Sequence, residues 1–331
     1  MASKFKVLVT DFITEPLDIE RDILGDLATI EALNALSTED LAAKLSDADA
    51  LIVYHFAKVT REMIAGMPSL KLIARGGAGF DNVDWRAARE LGIDVTNVPD
   101  YGTEDVADTA ITLTLSIARG THRLSHLCQI GTEHWTYEKV VPLRRIRGQV
   151  FGLLGCGNIG SAAALRAKAM GFDVIFFDPH IADGKDKALG IRRAETFEEL
   201  CRQSNVLSCH CELNDATRHI VNRQAIDWLP DASILVNTAR GGVVDPAAVL
   251  YGLESGKLMG AGLDVLEKEP PQDDDPLIQA WRNPNHPAFD RLIITPHAAF
   301  YSQQGLEDMR RKSSQNIRRM LTGQPVRNVI N

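Results

Sequence analysis

The sequence predicts an α/β protein made of two domains, each built around a parallel sheet. Three observations favour this class. Strand-like and helix-like segments alternate over the first hundred residues, an apolar strand at Val150 runs directly into a glycine-rich turn, and turn-forming residues occupy 97–102, between these two stretches. A chain of 331 residues is also long enough to build two hydrophobic cores.

The first hundred residues contain short apolar runs separated by helical patterns. The sequence predicts strands at 5–9, 50–54 and 71–74, and helices at 38–45 and 61–65. The turn-rich stretch 97–102 is interpreted as a hinge. After it, Thr103 is predicted to cap a long apolar helix that has Glu104 and Asp105 in its first turn and ends at Gly120.

A G-x-G-x-x-G motif at Gly155, Gly157 and Gly160 follows the apolar run 150–154, and helix formers fill 161–170 after it. A second apolar run, 174–177, then closes on Asp178, 18 residues after Gly160. Glycines alone also mark ordinary turns, and an Asp before a proline can simply end a strand. The whole strand–turn–helix–strand–acid unit, however, predicts a dinucleotide site. An acid that binds both ribose hydroxyls would repel a 2′-phosphate, so NAD is expected rather than NADP.

Further strands are predicted near residues 206, 234, 260 and 292, and a last helix over 302–321. The first hundred residues and this last helix are expected to form one domain, 1–101 with 299–331, and residues 102–298 the other. The predicted fold is therefore two Rossmann-like domains with parallel sheets, one flavodoxin-like and one dinucleotide-binding, with an interdomain cleft that closes on substrate.

Composition narrows the class of partner. The chain is 45% hydrophobic and 24% charged, with a net charge of −8, which argues against direct nucleic-acid binding. No apolar run is long enough to span a membrane, and an odd set of five cysteines suggests reduced thiols, so a cytoplasmic protein is expected. Cys209, His210 and Cys211 alternate along a predicted strand and cannot converge on one ion, so no metal is predicted.

Three chemically capable side chains follow later predicted strands. Arg240 comes after the run 234–239, Glu269 follows 262–266, and His297 follows 292–296. Each alone has an ordinary alternative: an ion pair, a loop acid or a core histidine. Together they supply what oxidation of a 2-hydroxy acid requires, namely a planar cation for a carboxylate and carbonyl oxygen, an acid/base, and a carboxylate that orients the base.

The stretches Val236–Asp245, Leu263–Pro270 and Thr295–His297 resemble the signatures of the D-isomer-specific 2-hydroxyacid dehydrogenases. Within that family the chain most resembles the branch of the C-terminal-binding proteins, through Tyr54-His55 and Gly79–Asp84 among other segments. The resemblance implies that Arg240, Glu269 and His297 are catalytic, and that the protein is a homodimer.

The resemblance also implies two sets of binding residues. The cofactor-binding set is Gly155, Gly157, Asn158, Ile159, Gly160, Asp178, Cys211, Thr217, Thr238, Ala239 and Asp264. The substrate-binding set is Tyr54, His55, Arg75, Gly77, Ala78 and Phe300. The chain departs from the branch at Phe300, where the corepressors carry Trp, at Ala78, which replaces a small polar residue, and in a longer connection over 271–291, interpreted as a surface excursion.

The function expected is an NAD-dependent D-2-hydroxyacid dehydrogenase, or 2-oxoacid reductase, acting on a small acid. The alternative is an NADH-sensing protein-interaction module like the corepressors of the same branch. The full set of chemical residues and an end at Asn331 without a polar tail favour the enzyme. A formate-oxidising relative is disfavoured because its histidine partner is Gln rather than Glu. The side chain of the acid stays open among glyoxylate, hydroxypyruvate and larger 2-oxoacids.

Overall fold

The computed structural model describes residues 4–331, which form two compact units. One unit contains the chain up to Gly102 together with Tyr301–Asn331, and the other contains Thr103–Phe300. The boundaries expected from the sequence, 101/102 and 298/299, lie within two residues of these. The first of these compact units is unit 1 and the second is unit 2.

Unit 1 begins with five strands and four short helices. The strands are β1 (Phe5–Asp11), β2 (Ala28–Ala35), β3 (Ala50–Val53), β4 (Leu72–Arg75) and β5 (Asp94–Thr96), and the helices are α1 (Asp18–Leu24), α2 (Thr38–Lys44), α3 (Arg61–Ala65) and α4 (Trp85–Glu90). The strands form one parallel sheet in the order β2-β1-β3-β4-β5. This order is the flavodoxin-like one, as the sequence predicts.

Both faces of the inner strands β3 and β4 are buried, which explains why these strands are almost continuously apolar rather than alternating. Leu8, Leu51 and Ile73 point to one core, whereas Val7 and Ile52 point to the other. Successive side chains of a strand therefore enter different cores. Helices must cover both faces, and the chain supplies them from its two ends.

Unit 2 contains most of the remaining elements. Its helices are α5 (Thr103–Arg119), α6 (Thr121–Ile130), α7 (Asn158–Ala169), α8 (Lys185–Leu189), α9 (Phe197–Gln203), α10 (Arg223–Trp228), α11 (Pro246–Ser255) and α12 (Pro276–Arg282). Its strands are β6 (Val150–Leu154), β7 (Asp173–Phe177), β8 (Arg192–Arg193), β9 (Val206–Cys209), β10 (Ser233–Asn237), β11 (Leu258–Leu263) and β12 (Leu292–Ile294).

The seven strands of unit 2 are parallel and lie in the order β12-β11-β10-β9-β6-β7-β8. Counted from β6, this is the 3-2-1-4-5-6 order of a dinucleotide-binding sheet with one further strand at its edge. The order of connection reverses between β6 and β9. Ligands of open α/β sheets bind at the carboxyl ends of the strands flanking such a reversal. The predicted class of two Rossmann-like domains is confirmed.

The last helix, α13 (Gln303–Leu321), packs in unit 1. Arg310 on α13 donates two hydrogen bonds to the carboxylate of Glu20 on α1, at 2.6 and 2.8 Å, and a third to Asp18. Because Glu20 is fully buried, its charge is stable there only while the guanidinium remains in place. This pairing attaches the C-terminal helix to the first helix of the chain.

Two local expectations are corrected by the structure. Thr103 is the first residue of α5, and its hydroxyl is buried without a hydrogen-bond partner among residues 4–331, so it does not cap the helix. The connection 271–291 is not only a surface excursion. It contains α12, whose Leu277 and Ile278 are buried, and Leu277 joins the core of unit 2. Leu277, Ala280 and Trp281, spaced i, i+3 and i+4, form the helix face that packs against this core.

The stretch 121–147 of unit 2 is poorly covered by the rest of the unit. Helix α6 has no buried residue, and large apolar side chains are exposed at Ile130, Trp135, Tyr137 and Val141. Trp135 is 77% exposed and Tyr137 is 74% exposed.

Between residues 4 and 331, no helix combines the length and the apolar character that crossing a membrane requires.

Candidate active site

The three predicted chemical side chains follow three neighbouring strands of unit 2. Strand β11 pairs with β10 on one side and with β12 on the other, so that Asn237, Leu263 and Ile294 end level with one another. Arg240, Glu269 and His297 come after these three strand ends in turn. Since the strands are parallel, the side chains are delivered to the same edge of the sheet.

His297 and Glu269 are joined by a hydrogen bond of 2.6 Å between Nδ1 and Oε2. A carboxylate can only accept, so Nδ1 carries the proton of this bond and the other ring nitrogen, Nε2, is the one able to exchange a proton. The second oxygen of Glu269 accepts from the backbone N–H of Leu266 at 2.7 Å. The carboxylate is therefore fixed at both oxygens.

The charge of Glu269 is stabilised by its surroundings. Partial burial opposes ionisation, but the hydrogen bond from His297, its positive charge, the Leu266 N–H and the nearby Arg240 together hold the pKa of Glu269 below its ordinary value. The pair thus resembles the base–acid pairs that hold a catalytic histidine in one tautomer.

The turn that carries His297 is built around Asp264, which is buried at the end of β11. The Asp264 carboxylate accepts from the Thr295 hydroxyl at 2.6 Å and from the N–H groups of Ala298 and Ala299 at 3.0 and 2.9 Å. Its backbone carbonyl accepts from the N–H of His297 at 2.7 Å. His297 has a φ of 51°, a left-handed conformation that is uncommon outside glycine. The Asp264 bonds hold the backbone in that conformation.

Arg240 is placed by a turn that begins at Asn237, a fully buried residue. The Asn237 side chain donates to the carbonyl of Arg240 at 2.9 Å and accepts from the N–H of Ala239 at 3.1 Å. Gly241 follows, and a Cβ at this position would lie 2.0 Å from the backbone of Leu266. The Arg240 turn and the loop leading to Glu269 therefore pack backbone against backbone.

The glycine motif folds as the dinucleotide hypothesis requires. Gly155 has a φ of 96°, and a Cβ there would lie 2.7 Å from the backbone of His210 across the β6–β9 junction. A Cβ on Gly160 would lie 2.4 Å from the carbonyl oxygen of Gly155. Gly157, by contrast, faces open space and begins α7 without a side-chain cap. The first N–H groups of α7, at Asn158, Ile159 and Gly160, are available to an anion.

Asp178 lies beside this turn at the end of β7. One carboxylate oxygen accepts from the N–H of Cys156 in the glycine turn at 2.8 Å, and the other accepts from the N–H of His180 at 2.9 Å. Each oxygen retains lone pairs for a further donor. The open backbone at Gly157 fits a pyrophosphate. The Asp178 carboxylate, which is bonded to the same turn, fits the two hydroxyls of a neighbouring ribose.

The remaining predicted cofactor residues lie in three different settings. Thr238 is buried, and its hydroxyl has no hydrogen-bond partner within residues 4–331. The Thr217 hydroxyl is engaged locally, because it donates to the Glu212 carbonyl at 2.6 Å and accepts from the N–H of Asn214 at 2.8 Å. Cys211 is half-buried, and burial raises the pKa of its thiol to about 12, so it is a neutral neighbour.

In unit 1, the predicted substrate residues surround the end of β4. Arg75 is 7% exposed, and its Nη1 donates to the carbonyl of Gly76 at 2.9 Å. Gly77 has a φ of 147°, and a Cβ there would strike the Arg75 guanidinium. The Ala78 carbonyl accepts from Asn97 at 2.7 Å. The turn 76–79 is thus tightly built, with a cation directly beneath it.

Tyr54 and His55, predicted together, lie in different environments. Tyr54 is fully buried, and its ring would touch a Cβ at Gly76 at 2.6 Å, so it supports the turn from inside the core. His55 is half-buried and packs against Phe12. In unit 2, the Phe300 ring lies edge-on to the His297 ring, with 6.2 Å between centroids.

Several structurally important residues were missed at the level of sequence. Asp11, Asn82 and Asn237 each hold a turn at a strand end, and Asp264, predicted to bind the cofactor, also holds the His297 turn. The available signal is a carboxylate or amide directly ending an apolar run, as at Asp11 and Asn237. A sequence does not show which backbone groups such a side chain will bind.

Comparison with known proteins agrees with this geometry. Residues 111–299 match the family model described as "D-isomer specific 2-hydroxyacid dehydrogenase, NAD binding domain". The chain is 36% identical over 92% of its length to C-terminal-binding protein 1 of Caenorhabditis elegans, and 34% identical over 98% of its length to D-3-phosphoglycerate dehydrogenase of Methanocaldococcus jannaschii. It spans 42% and 59% of these two relatives, about half their length.

A solved structure with a similar fold supports the same family. The D-lactate dehydrogenase of Aquifex aeolicus, determined with NAD and lactic acid, superimposes with a TM-score of 0.84 at 28% identity over 96% of each chain. The family model spans more than half of the present chain, and the cofactor of its matching domain is NAD. The chain belongs to the D-isomer-specific 2-hydroxyacid dehydrogenases.

Proposed function

We propose that the protein is an NAD-dependent D-2-hydroxyacid dehydrogenase that interconverts a 2-oxoacid and the D-2-hydroxyacid. The observation that carries the proposal is the 2.6 Å bond between His297 and Glu269 at the sheet edge that also receives Arg240. Family membership supports the reaction class. The relatives named above act on different acids, as their names state, so the side chain of the substrate is a separate question.

In the proposed reaction, NADH supplies the hydride to the C2 carbonyl. His297 donates a proton from Nε2 to the carbonyl oxygen during reduction and takes it back during oxidation. Glu269 keeps Nδ1 protonated and stabilises the imidazolium. Arg240 binds the carboxylate and the carbonyl oxygen of the acid through its planar guanidinium. Phe300 packs beside the imidazole and limits the space around the reacting carbon.

Cofactor binding is assigned to the glycine turn and the strand ends near it. The N–H groups at the start of α7 are proposed to hold the pyrophosphate, and Asp178 the ribose of the adenosine. Thr238, with its buried unpartnered hydroxyl, is the predicted residue best placed to gain a hydrogen bond when the cofactor binds. The carboxylate of the acid is assigned to the turn at Gly77 and Ala78 above Arg75.

A homodimer is part of the proposal. Helix α6 has no buried residue, and the exposed Trp135 and Tyr137 follow it in the chain. Several large apolar side chains exposed within one stretch of chain are typical of an interface with another protein. We propose a second copy of the chain as its partner, measurable by light scattering after size-exclusion chromatography. A Trp135→Glu variant that leaves a dimer unchanged would contradict the assignment of this surface.

A second candidate function is NADH-dependent recognition of another protein, favoured by the 36% identity to C-terminal-binding protein 1. The two functions differ in what His297 must do. A sensor requires bound NADH but no proton transfer, whereas the dehydrogenase requires both. Partner capture that depends on NADH and persists in a His297→Asn variant would support the sensor.

The direct test is NADH oxidation measured over a panel of 2-oxoacids, with the chirality of the product determined. We expect turnover to give the D-hydroxyacid. His297→Asn should reduce turnover by at least about 10²-fold, while the dissociation constant of NADH, measured by fluorescence titration, stays within a few-fold of the original. Absence of turnover with every acid, or an unchanged rate in His297→Asn, would refute the proposed function.

A further inference from the structure

Unit 1 carries an aromatic cluster at the ends of two adjacent strands, and it adds Phe12 and Phe56 to the predicted substrate residue His55. Phe12 follows β1, His55 and Phe56 follow β3, and the two strands pair in parallel. The ring of Phe12 lies 4.4 Å from that of His55 and 5.6 Å from that of Phe56, between centroids. We call Phe12, His55 and Phe56 the aromatic platform.

The platform is held by a buried carboxylate. Asp11 has no exposed surface and accepts from the N–H of Tyr54 at 2.9 Å and from the N–H of Phe56 at 2.5 Å. The Thr10 hydroxyl donates to the same carboxylate at 2.5 Å. A buried charge is stable only when it is bonded in this way, and here its bonds fix the loop that bears His55 and Phe56.

The platform is also strained and partly exposed. Phe12 has a φ of 64°, a conformation that large side chains rarely adopt. Phe56 is 53% exposed although its backbone is fixed. A fold that needed these rings only for its core would bury them, as it buries Tyr54. Rigid, half-exposed aromatic side chains are characteristic of surfaces that bind apolar ligand groups.

The platform adjoins the turn assigned to the substrate carboxylate. Val53 of β3 is paired with Arg75 of β4, so the two strands end side by side, and the N–H of Gly76 donates to the Val53 carbonyl at 2.8 Å. The side chain of Asn82 donates to the carbonyls of Tyr54 and Ala57 at 2.8 and 3.1 Å. The loop 54–57 and the segment after the glycine turn are thus joined within one unit.

The chemistry of a 2-oxoacid connects the two features. Its carboxylate and its side-chain substituent are both attached to C2, so a carboxylate held at the glycine turn directs the substituent towards neighbouring surface. We propose that the aromatic platform binds that substituent and that Phe12 is a specificity-determining residue. The substrate class is then 2-oxoacids with an aryl or bulky apolar substituent.

This inference rests on the proposed function for its reaction but has a binding readout of its own. Oxamate is a 2-oxoacid analogue that is not reduced, and N-phenyloxamate adds one ring to it. Titration calorimetry with the NADH-saturated protein should show N-phenyloxamate binding about tenfold more tightly than oxamate, and Phe12→Leu and Phe56→Leu should remove that difference. Leu36→Ala, at a side chain that is 80% exposed in the same unit, is the control and should keep it.

Kinetics provide the second readout. With NADH, kcat/KM for phenylpyruvate should exceed that for pyruvate, and the two Phe variants should lower the phenylpyruvate value by about tenfold while changing the pyruvate value less than about twofold. Equal binding of the two oxamates, or an equal loss for both acids in the variants, would overturn the platform assignment. Selective N-phenyloxamate binding without any turnover would retain the platform and refute the dehydrogenase.

Discussion

Nδ1 of His297 and Oε2 of Glu269 lie 2.6 Å apart, although 28 residues separate them in the chain. The separation is bridged by β12 and the connection that contains α12, so the sheet rather than local sequence brings the two together. The same sheet edge fixes both oxygens of the carboxylate, since Leu266 donates to the other one. Chemical consequences of this arrangement can be measured.

Glu269→Gln removes the negative charge beside the imidazole but preserves its shape. Because the pKa of Glu269 is held low, the carboxylate is charged throughout the neutral range and stabilises imidazolium there. We expect kcat for 2-oxoacid reduction to fall by roughly 10- to 100-fold across the neutral range. The measurement is a pH–rate profile with saturating NADH.

The lowered pKa of Glu269 also affects how the stability of the folded protein depends on pH. A carboxyl whose pKa is depressed in the folded protein contributes stability above its ordinary pKa, and loses it as the pH falls through the depressed value. Acid unfolding of Glu269→Gln, monitored from pH 6 downwards, should therefore show a shallower loss of stability than that of the original chain. A steeper loss of stability in the variant would indicate that the pairing with His297 does not lower the pKa of Glu269.

Asp264→Asn should separate a positioning role from a cofactor-binding role. The amide cannot accept from Thr295, Ala298 and Ala299 together, so the His297 turn loses its support. We expect kcat to fall by about 10²-fold with NADH affinity within about threefold of the original. Thr295→Val, which removes one donor, should give a smaller fall in the same direction. A large loss of NADH affinity with kcat retained would instead place Asp264 on the cofactor.

Asp178→Ser removes the carboxylate proposed to repel a 2′-phosphate. The ratio of kcat/KM with NADH to that with NADPH should fall by roughly 10- to 100-fold, because a like-charge repulsion is lost. Asp173→Ser is the matched control, since Asp173 starts the strand that Asp178 follows and pairs with Arg192 instead. An unchanged coenzyme ratio in Asp178→Ser would count against the ribose assignment.

Arg240→Ala should damage both binding and turnover. Loss of the guanidinium removes the proposed partner of the carboxylate and of the developing oxyanion, so KM should rise and kcat should fall by about 10²- to 10³-fold. Arg240→Lys keeps the charge without the planar fork and should recover only part of the loss. If added guanidinium ion restores turnover to Arg240→Ala and ammonium ion does not, the planar guanidinium is the part of Arg240 that the reaction requires.

Much of unit 2 is predictable from the sequence because its signals are local. The strand, the glycine turn, the helix and Asp178 are consecutive, and Arg240 follows its strand within three residues. The different environments of Tyr54 and His55, both predicted to bind substrate, are less accessible from the sequence. Side chains alternate along a strand, and Tyr54 continues the face of Ala50 and Ile52 into the core. Only the pairing of strands shows which face that is.

The missed features depend on contacts between distant segments. Asp11 acts on residues 54 and 56, and Asp264 acts on 295–299, so neither role has a sequence spacing that could reveal it. The left-handed backbone at Phe12 and His297 is likewise invisible in the sequence, since Phe rarely adopts it and most His residues do not. Such conformations persist only because surrounding bonds determine them.

All the residues proposed for proton transfer and nucleotide binding lie in one uninterrupted stretch, Thr103–Phe300, whereas the aromatic platform belongs to the segment that precedes it. Exchanging gene fragments at the junctions 102/103 and 300/301 would therefore combine the substrate preference of one relative with the catalytic residues of another. Diversification of such a lineage could proceed by recombination at the ends of the gene, with the redox machinery inherited intact.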